Sequence, residues 1–204
     1  MRYHLHQDDL PAGLDLGKVV AIDTETMGLS LARDRLCLIQ LSAGDEQCHL
    51  VQFQGGNYAA PNLRALLASP KILKLFHFAR FDLAVIQRDL CPVSGPVYCT
   101  KIASRLVRTF TDKHGLKDLC KDLLSIDISK QMQSSDWGVA KLSDEQLRYA
   151  AGDVLYLHRL RAELDVMLAR EGRSEIAAAC FAFLPTRAAL DLQGWSDIDI
   201  FAHH

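Results

Sequence analysis

Asp23 and Glu25 stand two positions apart at the end of the apolar run Val19, Val20, Ala21, Ile22, and Gly28 and Leu29 follow them. Small and branched apolar residues in such a run suit a strand buried on both faces. On an extended backbone alternate side chains share a side, so the two carboxylates point the same way. Like charges at the edge of a core repel unless something neutralises them, and a divalent cation is the most effective candidate. A strand running out into a solvated acidic turn closed by Gly28 explains this stretch, taken alone, equally well. The decision rests on carboxylates elsewhere.

Asp82 sits among Phe78, Phe81, Leu83, Ala84 and Val85, near the start of a helical pattern. An ionised group there is costly without a partner, although the helix N-terminus compensates part of the charge. Asp153 lies among Ala150, Ala151, Val154 and Leu155, and Tyr149 precedes it by four residues, so hydroxyl and carboxylate share one helix face. Tyr149 alone reads as the edge of an amphipathic core. Four acidic groups with poor local justification are reconciled if they converge on divalent metal, since hard cations take carboxylate oxygens.

These groups must be positioned by an alternation of strands and helices. Runs at 36–41 and 49–53, separated by Ala43-Gly44-Asp45-Glu46, predict a hairpin after the first strand. Pro61 opens a short helix over 61–67, a strand covers 71–76, and a helix follows from His77 to about Ile86. A strand at 97–99 and a helix at 101–107 continue the alternation of an α/β architecture. Helices are expected over 116–124 and near Ser129. Lys101, Arg105, Arg108, Lys113, His114, Lys117 and Lys121 cluster here, ordinarily as one solvated face rather than a phosphate-contacting patch. Ser143 with Gln146 is a capping box opening the longest helix, expected to reach Arg170 before Gly172. A last helix over 174–184 should stop at Pro185. The segment 187–204 carries Leu190, Leu192, Trp195, Ile198, Ile200 and Phe201, too apolar for a free tail, and should pack on its own domain or on a neighbouring subunit.

The chain has 204 residues, 49% of them apolar, which suffices for one full core over 1–204. A net charge of −2 gives no general attraction for a long polyanion. Cys37, Cys48, Cys91, Cys99, Cys120 and Cys180 form no C-x-x-C pair and read as reduced, mostly buried thiols. The polar N-terminus carries His4, His6, Asp8 and Asp9, and no apolar run has the length of a signal peptide or membrane span, so a cytoplasmic protein is expected.

Asp23 with Glu25, Asp82, and Tyr149 with Asp153 resemble, in order and spacing, the three motifs of the DEDDy 3′–5′ exonucleases. Residues 76–82, 134–137 and 147–153 are similar to the ribonuclease D group. Residues 21–29, 33–37, 99–104 and 194–201 extend the likeness to its short nano-RNase C family, which splits dinucleotides. This resemblance implies an α/β fold with a ribonuclease H-like mixed sheet flanked by helices. It implies two Mg²⁺ or Mn²⁺ ions roughly 3.5–4 Å apart, held by Asp23, Glu25, Asp82 and Asp153, with Asp82 acting through a water. Tyr149 would orient the nucleophilic water, with Glu25 sharing it. Leu29 would wedge between two bases, while Thr24, His77, Phe78 and Trp137 would touch substrate; a core Leu29, a core His77 and a core-capping Trp137 are the plainer alternatives. Short single-stranded RNA and a homo-octamer are the implied partners. The competing expectations are trimming of longer RNA or DNA 3′ ends, a binding module that has kept the fold without the chemistry, and a scaffold using the apolar tail.

Overall fold

In a computed structural model the described residues are 2–128, 132 and 134–203. Six strands, β1 (Arg2–Gln7), β2 (Val19–Thr26), β3 (Leu36–Ser42), β4 (Gln47–Gln52), β5 (Leu73–Phe76) and β6 (Val97–Cys99), form one mixed sheet in the order β1-β4-β3-β2-β5-β6. The β2, β3 and β4 strands run antiparallel as a meander, whereas β1 joins β4, and β5 joins β2 and β6, in parallel. Val20, Ala21 and Ile22 are all fully enclosed, as is the whole of β3, so both faces of the central sheet are covered.

The covering helices are α1 (Pro61–Leu67), α2 (Ala79–Asp89), α3 (Thr100–Val107), α4 (Leu116–Leu124), α5 (Asp144–Leu155), α6 (Leu157–Arg170) and α7 (Ser174–Leu190). The α5 helix lies across β2, β3 and β4; α2 meets β2, β3 and β5 and packs on α7. The capping box at Ser143 and Gln146 is formed in full. The mixed α/β sheet expected from the chain is therefore present, and among the described residues no helix is long and apolar enough to cross a membrane.

Several boundaries differ from expectation for physical reasons. The single long helix over 143–170 is two helices broken at Tyr156, because α5 must follow the sheet while α6 turns away onto α3, α4 and β5. Pro185 does not end α7, which runs on to Leu190. An interior proline costs about 3 kcal/mol, and burial of Phe181, Leu184 and Ala188 beside α2 offsets it. Edge strand β1 has no counterpart in the sequence reading, since its polar His4 and His6 masked the alternation. The β5 strand is shorter than 71–76, and α2 starts at Ala79 rather than His77 because Phe78 adopts a left-handed conformation with φ 67° that turns the chain. The helix expected near Ser129 falls outside the described residues.

The basic cluster is not one solvated face. Arg108 is buried and pairs with Asp122, His114 Nδ1 and Ser104 Oγ are 2.8 Å apart, and Lys101 and Lys117 turn toward the cavity described below. The tail is tied down through Asp191, which accepts from Arg80 at 2.5 Å and from Arg187 at 2.6 Å. Arg80 also donates to the Ser196 carbonyl at 2.6 Å. Phe201 meets Phe183, yet Trp195, Ile198, Ile200 and Phe201 all keep much of their surface open. The six cysteines are free, with Cys37, Cys48, Cys99 and Cys120 buried.

Candidate active site

The β2 strand delivers Asp23 and Glu25 to one side of the sheet, and α5 brings Asp153 over them. Carboxylate oxygens of these three residues lie within 4.8 Å of one another. Burial, and for Glu25 the charges of Asp23, Asp153 and Asp82, push the Asp23 and Glu25 carboxyls far above the usual carboxylate range. Asp82, in the first turn of α2, is enclosed; burial and the Asp23 charge push it up as well. Its Oδ1 accepts from Thr24 Oγ1 at 2.6 Å, which opposes that shift. The structure thus clusters three of the acidic groups named from the sequence, and the fourth, Asp82, lines the same cavity.

Tyr149 stands one turn before Asp153 on α5, as the four-residue spacing implied, and both line the same cavity. Burial and the charges of Asp153, Glu25 and Asp23 push its phenol well above the ordinary range, so the hydroxyl keeps its proton at neutral pH. His77 Nδ1 meets Thr100 Oγ1 at 2.8 Å, and that hydroxyl donates on to the Phe76 carbonyl at 3.3 Å, so the imidazole ring is held in place. Phe78, 46% exposed, carries Lys101 Nζ 4.4 Å above its ring. Leu29 is 84% exposed at the rim, which removes the reading of a core leucine.

One sequence expectation changes here. Trp137 is only 2% exposed and lies against Tyr149 with ring centroids 6.1 Å apart. A base cannot stack on a ring so enclosed; the residue backs Tyr149 instead. Thr24, expected against substrate, lines the cavity, and its hydroxyl donates to Asp82. Lys101 and Lys117 had been absorbed into a supposed solvated run, and their place beside the acidic groups carried no signal in the local sequence.

Together these side chains line a cavity of about 330 Å³ with Asp23, Glu25, Asp82, Tyr149 and Asp153 at its polar end and Leu29, Phe78 and Phe81 on its apolar wall. All donors in the acidic set are hard oxygens, and its excess negative charge is what a divalent cation would neutralise, so the residues fit Mg²⁺ or Mn²⁺. The arrangement can hold such a cation against a phosphate and keep a nearby water oriented by a neutral phenol.

A family profile described as a 3′–5′ exonuclease matches residues 8–169. Ribonuclease D of Gluconacetobacter diazotrophicus is 34% identical over 165 residues, which are 81% of this chain and 42% of that protein. The chain spans about two fifths of the length of the curated relatives it matches first. Brucella melitensis NrnC with bound Mg²⁺ is 53% identical with a TM-score of 0.96, and each chain is covered in full. The same Brucella protein bound to pGG is 54% identical with a TM-score of 0.97, again over all of both chains. With well over half of its length inside that profile, the chain belongs to the 3′–5′ exonuclease family, in which it is similar to ribonuclease D and to NrnC.

Proposed function

We propose that this exonuclease acts on very short single-stranded RNA, chiefly dinucleotides, and releases mononucleotides in the last step of RNA degradation. The observation that carries the reading is the closeness of the Asp23, Glu25 and Asp153 oxygens, within 4.8 Å, at the end of a cavity whose other wall is exposed leucine and phenylalanine. Asp23, Glu25, Asp82 and Asp153 would hold two divalent ions. The chemistry such ions supply when bound is an acidified water and neutralisation of charge on the phosphate and the departing 3′ oxygen.

The chain's own residues do the rest. Thr24 holds Asp82 in one orientation. Tyr149, too weak an acid to ionise, positions the attacking water through its hydroxyl while Trp137 fixes its ring; Glu25 shares that water. Leu29 and Phe78 offer apolar surface to the two bases, and His77, oriented by Thr100, faces the terminal nucleotide. Lys101 and Lys117 place positive charge beside the phosphates in the same cavity. Brucella NrnC bound to pGG supports a dinucleotide as occupant. The open apolar residues of the tail support a homo-oligomer, an octamer by the family resemblance, acting in the cytoplasm.

A time course with 5′-labelled RNA of two to seven nucleotides, in Mg²⁺ or Mn²⁺ and in chelator, tests the proposal. Dinucleotides should be cleaved at least ten times faster than heptamers, and only with metal. Equal rates on both lengths would assign general trimming of 3′ ends, and unchanged rates in chelator would remove the metal site.

A further inference from the structure

Gln40 lies in the middle of β3 with 0% of its surface exposed, and neither its Nε2 nor its Oε1 meets a hydrogen-bonding group of the protein. A buried donor or acceptor left unpaired costs about 1–3 kcal/mol. An amide kept at such a position needs a partner that it meets in a working state of the site. Directly across on β2 is Asp23. Opposed residues of an antiparallel pair share a face, with Cβ atoms about 4.5–5.5 Å apart, so amide and carboxylate lie together beneath α5.

Apart from the acidic cluster itself, the side chains of Ser42, Gln52 and Gln146 around that face are already engaged. Ser42 Oγ donates to the Gln47 carbonyl at 2.7 Å. Gln52 Nε2 donates to the Val139 carbonyl at 3.0 Å, and its Oε1 accepts from Gln7 at 3.4 Å. From α5 above, Leu147, Ala150, Ala151 and Val154 are buried, and the Gln146 amide is held by Ser135 Oγ and the Asp136 carbonyl. The acceptor that the register sets nearest to Gln40 is Asp23.

We propose that Gln40 is a positioning residue whose Nε2–H donates to the Asp23 carboxylate when that carboxylate holds a divalent cation. The inference rests on the metal-site reading above. A carboxylate with two oxygens can turn about its Cβ–Cγ bond, and an amide donor on the oxygen away from the ion fixes the oxygen that faces it. Carboxylates that bind metals are themselves hydrogen-bonded, and loss of such a partner lowers metal affinity or activity by about 10–100-fold. A purely structural amide behaves in the opposite way: replacing it with leucine relieves an unpaired group and leaves the metal untouched.

The test compares the full-length wild type with Gln40→Leu, Gln40→Met and Asp23→Asn. Titration calorimetry with Mn²⁺ should show affinity at least tenfold weaker in Gln40→Leu, with metal-free melting unchanged or higher. Turnover on a dinucleotide should fall at least tenfold while KM stays within twofold. Wild-type protein that binds no Mn²⁺ overturns the metal-site reading and this inference with it. Wild-type binding matched within threefold by Gln40→Leu overturns this inference alone. Should both Gln40 variants fail to fold, the side-chain amide of Gln40 in ¹⁵N-labelled wild type decides: one of its protons should move downfield on addition of Mg²⁺ and stay in place in Asp23→Asn. An amide signal insensitive to Mg²⁺ refutes the contact.

Discussion

Glu25→Gln separates the electrostatic cost of the site from its use. In the wild type, Glu25 faces Asp23 and Asp153 with oxygens no more than 4.8 Å apart. Two unit charges at that separation repel by about 1 kcal/mol in water and about 3.5 kcal/mol at an effective dielectric of 20. Two such pairs bracket the relief at roughly 2–7 kcal/mol. The carboxyls are half-buried and can take up protons, which moves the expected gain to the lower end, about 2 kcal/mol. For a chain of this size that raises Tm by roughly 4–8 °C.

The pH dependence has a definite sign. The Glu25 carboxyl, pushed up to about 10 in the folded protein against an ordinary 4.5, makes the folded state the stronger proton binder. Its stabilising contribution is therefore complete below about 4.5 and is lost progressively as the pH rises toward 10. Calorimetry in chelator should show wild-type Tm falling from pH 6 to 9, and Glu25→Gln should flatten that fall while melting higher throughout. Saturating Mn²⁺ should raise the wild type well above its metal-free Tm and the variant much less, with turnover down at least 100-fold, about 2.7 kcal/mol of barrier. A variant that melts lower than wild type in chelator, or that keeps a tenth of its turnover, refutes the reasoning.

Tyr149→Phe keeps the ring against Trp137 and loses the hydroxyl; turnover should fall about 100-fold with substrate Kd within threefold, whereas loss of affinity with intact turnover would make Tyr149 a binding residue. Leu29→Ala removes an exposed side chain, so stability should stay within about 0.5 kcal/mol. KM for dinucleotides should nonetheless rise about fivefold or more, close to 1 kcal/mol, and an unchanged KM would remove Leu29 from the substrate wall. Lys74 is enclosed, its ammonium held by the Ser69 and Ser94 carbonyls, and burial pushes it down to about 8 from 10.5. The unfolded chain then binds more protons between those values, so the contribution of Lys74 to stability should rise with pH across that window by up to about 3 kcal/mol, against the fall set by Glu25. Denaturant titrations at pH 7.5 and 10 should show wild type gaining on Lys74→Met by that amount between the two pH values; an unchanged difference between them would assign the effect to other groups.

What was legible in the chain follows from what a local sequence can reveal. Asp82 and Asp153 stood out because an ionisable group among leucines, valines and alanines has no local justification, and that anomaly survives folding: both end beside Asp23 and Glu25. The strands were readable from the same apolar runs, and the capping box at Ser143 from its own two residues. Boundaries set by distant packing were not. Nothing in 144–170 marks a break at Tyr156, which is imposed by the different surfaces that α5 and α6 cover, and Pro185 carried a stop signal that the contact with α2 overrides. Lys101 and Lys117 looked like members of a solvated run because their counter-charges lie on other elements.

Thr24 and Gln40 show where the line falls at the site itself. Both are polar residues next to Asp23, one beside it in the chain and one across the sheet. Threonine is at home in a strand, so its bond to Asp82 left no trace in composition. Gln40 sits between Ile39 and Leu41 in a strand that is buried from end to end, and an amide there is as unusual as a carboxylate, though it carries no charge to draw notice. A search for buried polarity within apolar strands, in addition to buried charge, would have brought it out. The same physics underlies both signals: a group kept where it costs free energy implies a partner that compensates, and for the carboxylates and the amide alike that partner belongs to the loaded site rather than to the folded chain alone.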